Sequence, residues 1–114
     1  EIVANLLENA FKYAEKNAEI GIAVTSRGLC VFDNSKKIKE SEYEIIFQKG
    51  FRGSASKKKE GTGVGLFLAR KLAKQIGGDL YLLKDSMKSN DKEIENINMT
   101  NVFYLELPIA ELRI

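Results

Sequence analysis

The sequence predicts a single α+β domain, a two-layer sandwich with helices on one face of a mostly antiparallel sheet. Three observations predict it. The 114 residues suffice for one compact domain and not for two. Two amphipathic helix patterns stand well apart, one at the start and one past the middle. The strand patterns come as two adjacent pairs, and strands joined by short connections pair antiparallel.

Residues 1–16 repeat with the helical period. At about 100° per residue, Ile2, Val3, Leu6, Leu7, Ala10, Phe11, Tyr13 and Ala14 form a broad apolar face. Glu1, Asn5, Glu8, Asn9, Lys12 and Lys16 form a narrow polar stripe. Asn5 and Asn9 are one helical turn apart and Lys12 follows on the same stripe, so the three side chains can converge on one ligand. A solvated face has the same pattern, but such faces favour Glu, Lys and Arg, and Asn weakens a helix. The spacing leaves both readings open. No strand or cap signal precedes this helix, so the chain is expected to be an N-terminally incomplete piece of a longer polypeptide.

In residues 19–25, Ile20, Ile22 and Val24 alternate onto one strand face while Gly21 and Ala23 keep the other small. Ser26-Arg27-Gly28 is a turn, and residues 29–33 complete a hairpin. Residues 41–47 read as a short helix with Ser41 as its N-cap and Glu42 and Glu44 in its first turn. Residues 48–60 lose apolar periodicity after Phe51 and read as a mobile loop with a solvated Lys57-Lys58-Lys59 run. Residues 66–76 form a second long helix with Leu66, Ala69, Leu72, Ala73 and Ile76 as its stripe, stopped by Gly77-Gly78. Residues 79–84 are a strand. Residues 85–99 are polar, with only a weak Ile94/Ile97 signal, and read as a hairpin connection. Residues 102–107 are the last strand, with Phe103, Leu105 and Leu107 on one face and Pro108 closing it.

Composition narrows the chemistry. Hydrophobic residues make up 44% and charged residues 30%, which suits a globular core. A net charge of +2 is too small to argue for nucleic acid. No apolar run approaches the ~20 residues that span a bilayer, and no signal-peptide pattern opens the chain. The lone Cys30 lies in an apolar run and reads as a buried thiol in a reducing compartment. The absence of histidine excludes Ser-His-Asp and Cys-His catalysis and histidine metal sites within this chain.

The stretch Gly61-Thr62-Gly63-Val64-Gly65-Leu66 leads straight into the second helix. Glycines let the backbone approach a ligand, and a helix N-terminus offers free N–H groups to an anion. This is a phosphate-cradle pattern, though neither the Walker nor the Rossmann spacing. A flexible turn before a helix would look the same.

Taken together, the motifs resemble the ATP-binding domain of sensor histidine kinases. Asn5-Leu6-Leu7-Glu8-Asn9-Ala10-Phe11-Lys12-Tyr13-Ala14 resembles their N box, and Ile46-Phe47-Gln48-Lys49-Gly50-Phe51-Arg52-Gly53 their F box. Residues 61–66 resemble the second glycine box and Phe103-Tyr104-Leu105-Glu106-Leu107-Pro108 the closing strand. Order and spacing agree over nearly the whole chain. The resemblance implies the Bergerat ATP-binding fold over residues 1–114, a mostly antiparallel mixed sheet, with residues 48–61 as an ATP lid.

It also implies roles. Asn9, helped by Asn5, would ligate Mg²⁺, and Lys12 would reach a phosphate oxygen. Tyr13 would lie against adenine or ribose. Asp33 would accept a hydrogen bond from the adenine amino group, with Ile38 following in the same box. Arg52 would stabilise charge on the γ-phosphoryl group, and Gly61, Thr62, Gly63, Val64, Gly65 and Leu66 would wrap the phosphates. The cofactors implied are ATP and Mg²⁺.

The function implied is transfer of the γ-phosphoryl group to a histidine on a dimerisation domain outside this chain, with a response regulator as the full-length partner. The isolated domain is expected to be monomeric and cytoplasmic, even where the full-length kinase is membrane-anchored. Two departures from the family pattern stand out. The first glycine box usually reads Asp-x-Gly-x-Gly, and here it is Asp33-Asn34-Ser35-Lys36-Lys37. A degenerate, non-binding interaction module is the alternative that this loss supports. Superfamily ATPases carry Glu four residues before the metal-binding Asn, where this chain has Asn5, which takes up no proton at neutral pH. That argues against an ATPase or an anti-sigma-type serine kinase.

Overall fold

The computed structural model describes residues 2–50, 65–88, 91–97 and 99–108. Helix α1 spans Ile2–Tyr13, followed by strands β1, Ile20–Val24, and β2, Gly28–Asp33. Helix α2 spans Gly65–Gln75, then come β3, Asp79–Leu82, the short helix α3, Asp85–Lys88, and β4, Asn101–Glu106. The sheet order is β1-β2-β4-β3. Its three ladders are antiparallel, with Asp33 opposite Asn101 and Leu82 opposite Phe103.

Helices α1 and α2 cover one face. Leu6 from α1 and Ala69 and Ala73 from α2 meet Val31, Leu80, Leu82, Phe103 and Leu105 from the sheet. The two alanines are fully buried, so the α2 backbone comes close to the strands. Removing a Leu- or Phe-sized side chain from water in this way is worth roughly 1.5–3 kcal/mol each, which is why the apolar stripes decide where the helices lie. Phe11 departs from the broad apolar face the sequence suggests and is 69% exposed. It lies about 140° around the helix from Leu6, beyond the stripe that faces the sheet. Ile22 and Val24 alternate as expected, yet β1 is an edge strand and the helices leave both exposed.

Helix α1 ends at Tyr13 rather than near Lys16, and the chain reverses through Asn17 at φ 68°, a left-handed position that Asn tolerates. Helix α2 ends as the sequence suggests. Gly77 (φ 87°) donates to Lys74 O and Gly78 donates to Ala73 O, at 3.1 and 2.9 Å. These are the two bonds of a Schellman motif.

The expected helix over 41–47 is instead two 3₁₀ turns, Glu40–Glu42 and Ile45–Phe47. Ser41 is not the N-cap; Lys39 precedes the first turn, with no side-chain cap. Seven residues cannot sustain a helix by propensity, and the burial of Tyr43, Ile46 and Phe47 sets the backbone path. Arg70 of α2 clamps this segment. Its guanidinium pairs with Glu44 at 3.1 Å and lies 4.8 Å over the Phe47 ring. Arg70 Nε stands 3.5 Å from Asp79 Oδ1, an ion-pair contact without hydrogen-bond alignment.

The connection over 85–99 does more than join two strands. Ile94 is 1% exposed, and with Ile97 and Met99 it packs on Cys30, Leu83, Val102 and Tyr104 on the sheet face opposite the long helices. Glu93 fastens the segment to the β1–β2 turn by accepting from Ser26 N–H at 2.8 Å and Ser26 Oγ at 2.6 Å. Cys30 is fully buried there, and burial, with Asp91 and Glu93 nearby, pushes its thiol up to about 11. It is an inert core thiol.

Candidate functional site

Among the described residues, Asn9 and Lys12 of α1, Asp33 of β2 and the start of α2 lie toward one end of the sandwich. An apolar groove of about 390 Å³ marks the other end, lined by Ile2 and Val3 from α1, Leu72 and Ile76 near the end of α2, Leu29 of β2 and Leu105 of β4. The start of α1 therefore lies beside the end of α2, and the packed helices run antiparallel. The C-terminal half of α1, carrying Asn9 and Lys12, shares its end of the sandwich with the N-terminus of α2 at Gly65 and Leu66. Asp33 and Asn101 close the same strands whose far ends line the groove, roughly 13 Å along β2 from Leu29 at ~3.3 Å per residue. The ends of four segments distant in sequence thus lie on the same side of the molecule.

Asn5 and Asn9 are half-buried on one stripe of α1, and Lys12 is exposed on the same side. Gly65 is the first residue of α2, and Leu66 packs against the main core. Ile38 also packs against that core. The side chain of Tyr13, together with Arg52, Gly61, Thr62, Gly63 and Val64, lies outside the described residues, as does most of the 48–61 segment.

Asp33 is the chemically distinctive group. It is 7% exposed, and among the described residues both of its side-chain hydrogen bonds fall on Oδ1, from Ser35 N–H at 3.0 Å and Asn101 Nδ2 at 3.1 Å. Burial pushes its carboxyl above the ordinary range, and the bonds from Asn101 and Ser35 offset only part of that. A buried carboxylate with one oxygen engaged is a selective acceptor for a donor ligand.

The loop after Asp33 holds its shape without glycine. Among the described non-glycine residues only Asn17 has a positive φ, so residues 34–38 turn without a left-handed position. Asn34 and Glu19 exchange two bonds: Glu19 N–H donates to Asn34 Oδ1 at 2.7 Å and Asn34 N–H to Glu19 O at 3.2 Å. Glu15 accepts from Lys36 N–H at 2.7 Å and donates its own N–H to Ser35 Oγ at 3.2 Å. Lys37 points to Tyr43 OH, at 3.0 Å, and to Asp85, at 3.3 Å. A further tether is Asn101, which the sequence reading passes over. Asn is a poor strand former, and an Asn opening an otherwise apolar strand is the signal that was there to be read.

This arrangement is that of a nucleotide-binding α+β sandwich. The chain belongs to the family of histidine kinase-, DNA gyrase B- and HSP90-like ATPases, whose family model matches residues 1–111. It is similar to the adaptive-response sensory kinase SasA of Crocosphaera subtropica, 32% identical over 72% of this chain and 23% of that one. It is also similar to the sensor protein KdpD of Escherichia coli, 37% identical over 69% of this chain and 9% of that one. The chain spans less than a quarter of the length of these curated relatives. The solved mycobacterial sensor histidine kinase MprB shares the fold, with a TM-score of 0.69 at 20% identity over 94% of this chain and 71% of that one. The chain is accordingly an ATP-binding catalytic domain of the histidine kinase type.

Proposed function

We propose that the chain presents ATP for transfer of its γ-phosphoryl group to a histidine on a dimerisation domain outside these 114 residues. What supports this reading is that buried Asp33, the C-terminal half of α1 with Asn9 and Lys12, and the α2 N-terminus lie toward the same end of the sandwich. Asp33 accepts from the adenine amino group through Oδ2, because Oδ1 is already engaged. The loop lacking the family glycines needs no left-handed residue, which removes the conformational ground for reading this as a degenerate module.

The donor set fits a Mg²⁺–triphosphate. Among the described residues no cluster of three or more His, Cys, Asp or Glu could hold a metal ion, so the phosphates supply the charge and the neutral amides of Asn9 and Asn5 supply protein oxygens. Held by these amides, Mg²⁺ would supply positive charge to the phosphates. Lys12 binds a phosphate oxygen as a point charge, and Tyr13 lies against adenine or ribose. Residues 48–61 form the lid, with Arg52 reaching the γ-phosphoryl group. The glycines from Gly61 to Gly65 bring backbone N–H groups to the phosphates.

In the transfer, a histidine ring nitrogen forms a bond to the γ-phosphorus as the bond from that phosphorus to the β–γ bridging oxygen breaks. ADP leaves with the electron pair, and the imidazole sheds its N–H proton to solvent. Asn5 cannot act as a base for water, and Glu8, next to Asn9, points about 100° away around the helix; hydrolysis is therefore slow. The full-length protein is a dimer with a response-regulator partner and holds this domain in the cytoplasm. Among the described residues no helix is long and apolar enough to cross a membrane.

The test supplies labelled ATP and Mg²⁺ to the full-length polypeptide and to this domain alone. The expected result is an acid-labile, base-stable phosphoryl group on the full-length protein and little phosphate release from the domain. Sustained phosphate release from the domain, abolished by Glu8→Gln, would replace the kinase reading with that of an ATPase.

A further inference from the structure

Asn101 is 3% exposed, and its amide is fully engaged. Its Nδ2 donates to Asp33 Oδ1 at 3.1 Å and to Lys36 O at 3.0 Å, and its Oδ1 accepts from Ile38 N–H at 2.9 Å. The partners fix the orientation of the amide. A carboxylate and a carbonyl require donors, and a backbone N–H requires an acceptor, so the flipped amide would lose all three bonds. Asn101 stands directly across the β2–β4 ladder from Asp33, and the adjacent Thr100 N–H donates to Asp33 O at 2.9 Å. Thr100 and Asn101 therefore hold the backbone and the side chain of Asp33, and the Asn101 amide holds both ends of the turn over residues 36–38.

We propose that Asn101 is the positioning residue for base selection in this chain, acting through Asp33 and the glycine-free loop; the inference rests on the adenine role of Asp33 proposed above. Loading Oδ1 leaves Oδ2 to the ligand, at a fixed angle. Adenine presents an amino donor to that oxygen, whereas guanine presents a carbonyl acceptor and leaves the buried carboxylate unpaired. A hydroxyl side chain has a single donor and could not serve both Asp33 and the Lys36 carbonyl. One asparagine thus aims the carboxylate and shapes the loop that borders it.

The experiment measures the affinity of the wild-type chain, Asn101→Ala and Asn101→Asp for Mg-ATP and Mg-GTP by displacement of a fluorescent nucleotide, alongside thermal unfolding without ligand. In both variants the preference for ATP over GTP is expected to fall by about tenfold or more, the value of one hydrogen bond to a charged group, while GTP affinity changes little. A merely structural Asn101 would lower the folded fraction, weaken both nucleotides alike and leave their ratio unchanged; that result overturns the proposal. Should Asn101→Ala fail to fold, Asn101→Asp decides, because it keeps the size and the acceptor for Ile38 but sets a second carboxylate against Asp33. Wild-type protein that binds neither nucleotide would overturn the ATP-binding reading and this inference with it. Wild-type protein that selects ATP, with variants of unchanged ratio, overturns the role of Asn101 alone.

Discussion

Replacing Asp33 by asparagine separates recognition from folding. The introduced amide keeps an oxygen where Oδ1 stands, so the bonds from Ser35 N–H and Asn101 Nδ2 survive. Only the second position changes, from an acceptor to an NH₂ group that faces the adenine amino group donor to donor. The loss is one hydrogen bond to a charged group, about 1.5–3 kcal/mol, or roughly 10- to 150-fold in ATP affinity. Stability should move the other way. Burial holds the folded carboxyl above its ordinary value of 3.8, so the ionised form opposes folding at neutral pH. The folded state takes up a proton before the unfolded chain does, and that penalty is relieved as pH falls through the raised value. Asp33→Asn removes it at every pH. The variant should therefore be at least as stable as wild type at pH 7, and its advantage should shrink on acidification toward 3.8. The assays are nucleotide displacement at pH 7 and urea unfolding as a function of pH. A variant that binds ATP as tightly as wild type, or that is destabilised at pH 7 and not at acid pH, would refute the reasoning.

Other outcomes follow from the same structure. Asn9→Ala should remove the enhancement of ATP affinity by Mg²⁺ with an unchanged unfolding midpoint; matched unfolding would make Asn9 a structural residue. Ile94→Ala should destabilise the chain by about 2–5 kcal/mol in urea unfolding, because Ile94 centres the second cluster. A loss well under about 1 kcal/mol would mean that residues 85–99 do not close that face. Gly77→Ala forces a Cβ into a left-handed position and should cost about 1 kcal/mol or more, with the far-UV circular dichroism unchanged.

Where local chemistry decides structure, the sequence was legible. The glycine pair ending α2 is such a case, since left-handed geometry there has few alternatives. The alternation in β1 is another, and so is the Asn5/Asn9 stripe. The order of motifs was enough to recover the fold. Features set by long-range packing were not legible. Ile94, Ile97 and Met99 look like scattered apolar residues until the second face of the sheet exists to receive them. Phe11 belongs to an apolar arc by period, but it lies outside the part of that arc that packs on the core. The segment over 41–47 carries helix-capping residues, yet the core burial of Tyr43, Ile46 and Phe47 takes precedence. Asn101 acquires meaning only through the register that sets it opposite Asp33. The missing glycines after Asp33 invited a reading of lost function because sequence displays the absence of glycine and not the side-chain bonds that hold the loop.

The most direct measurement is a calorimetric titration of the chain with ATP, with and without Mg²⁺, and with GTP in parallel. The account predicts saturable binding of one ATP per chain, tightened by Mg²⁺ and stronger than that of GTP. Folded protein that shows no heat and no displacement with ATP would contradict it.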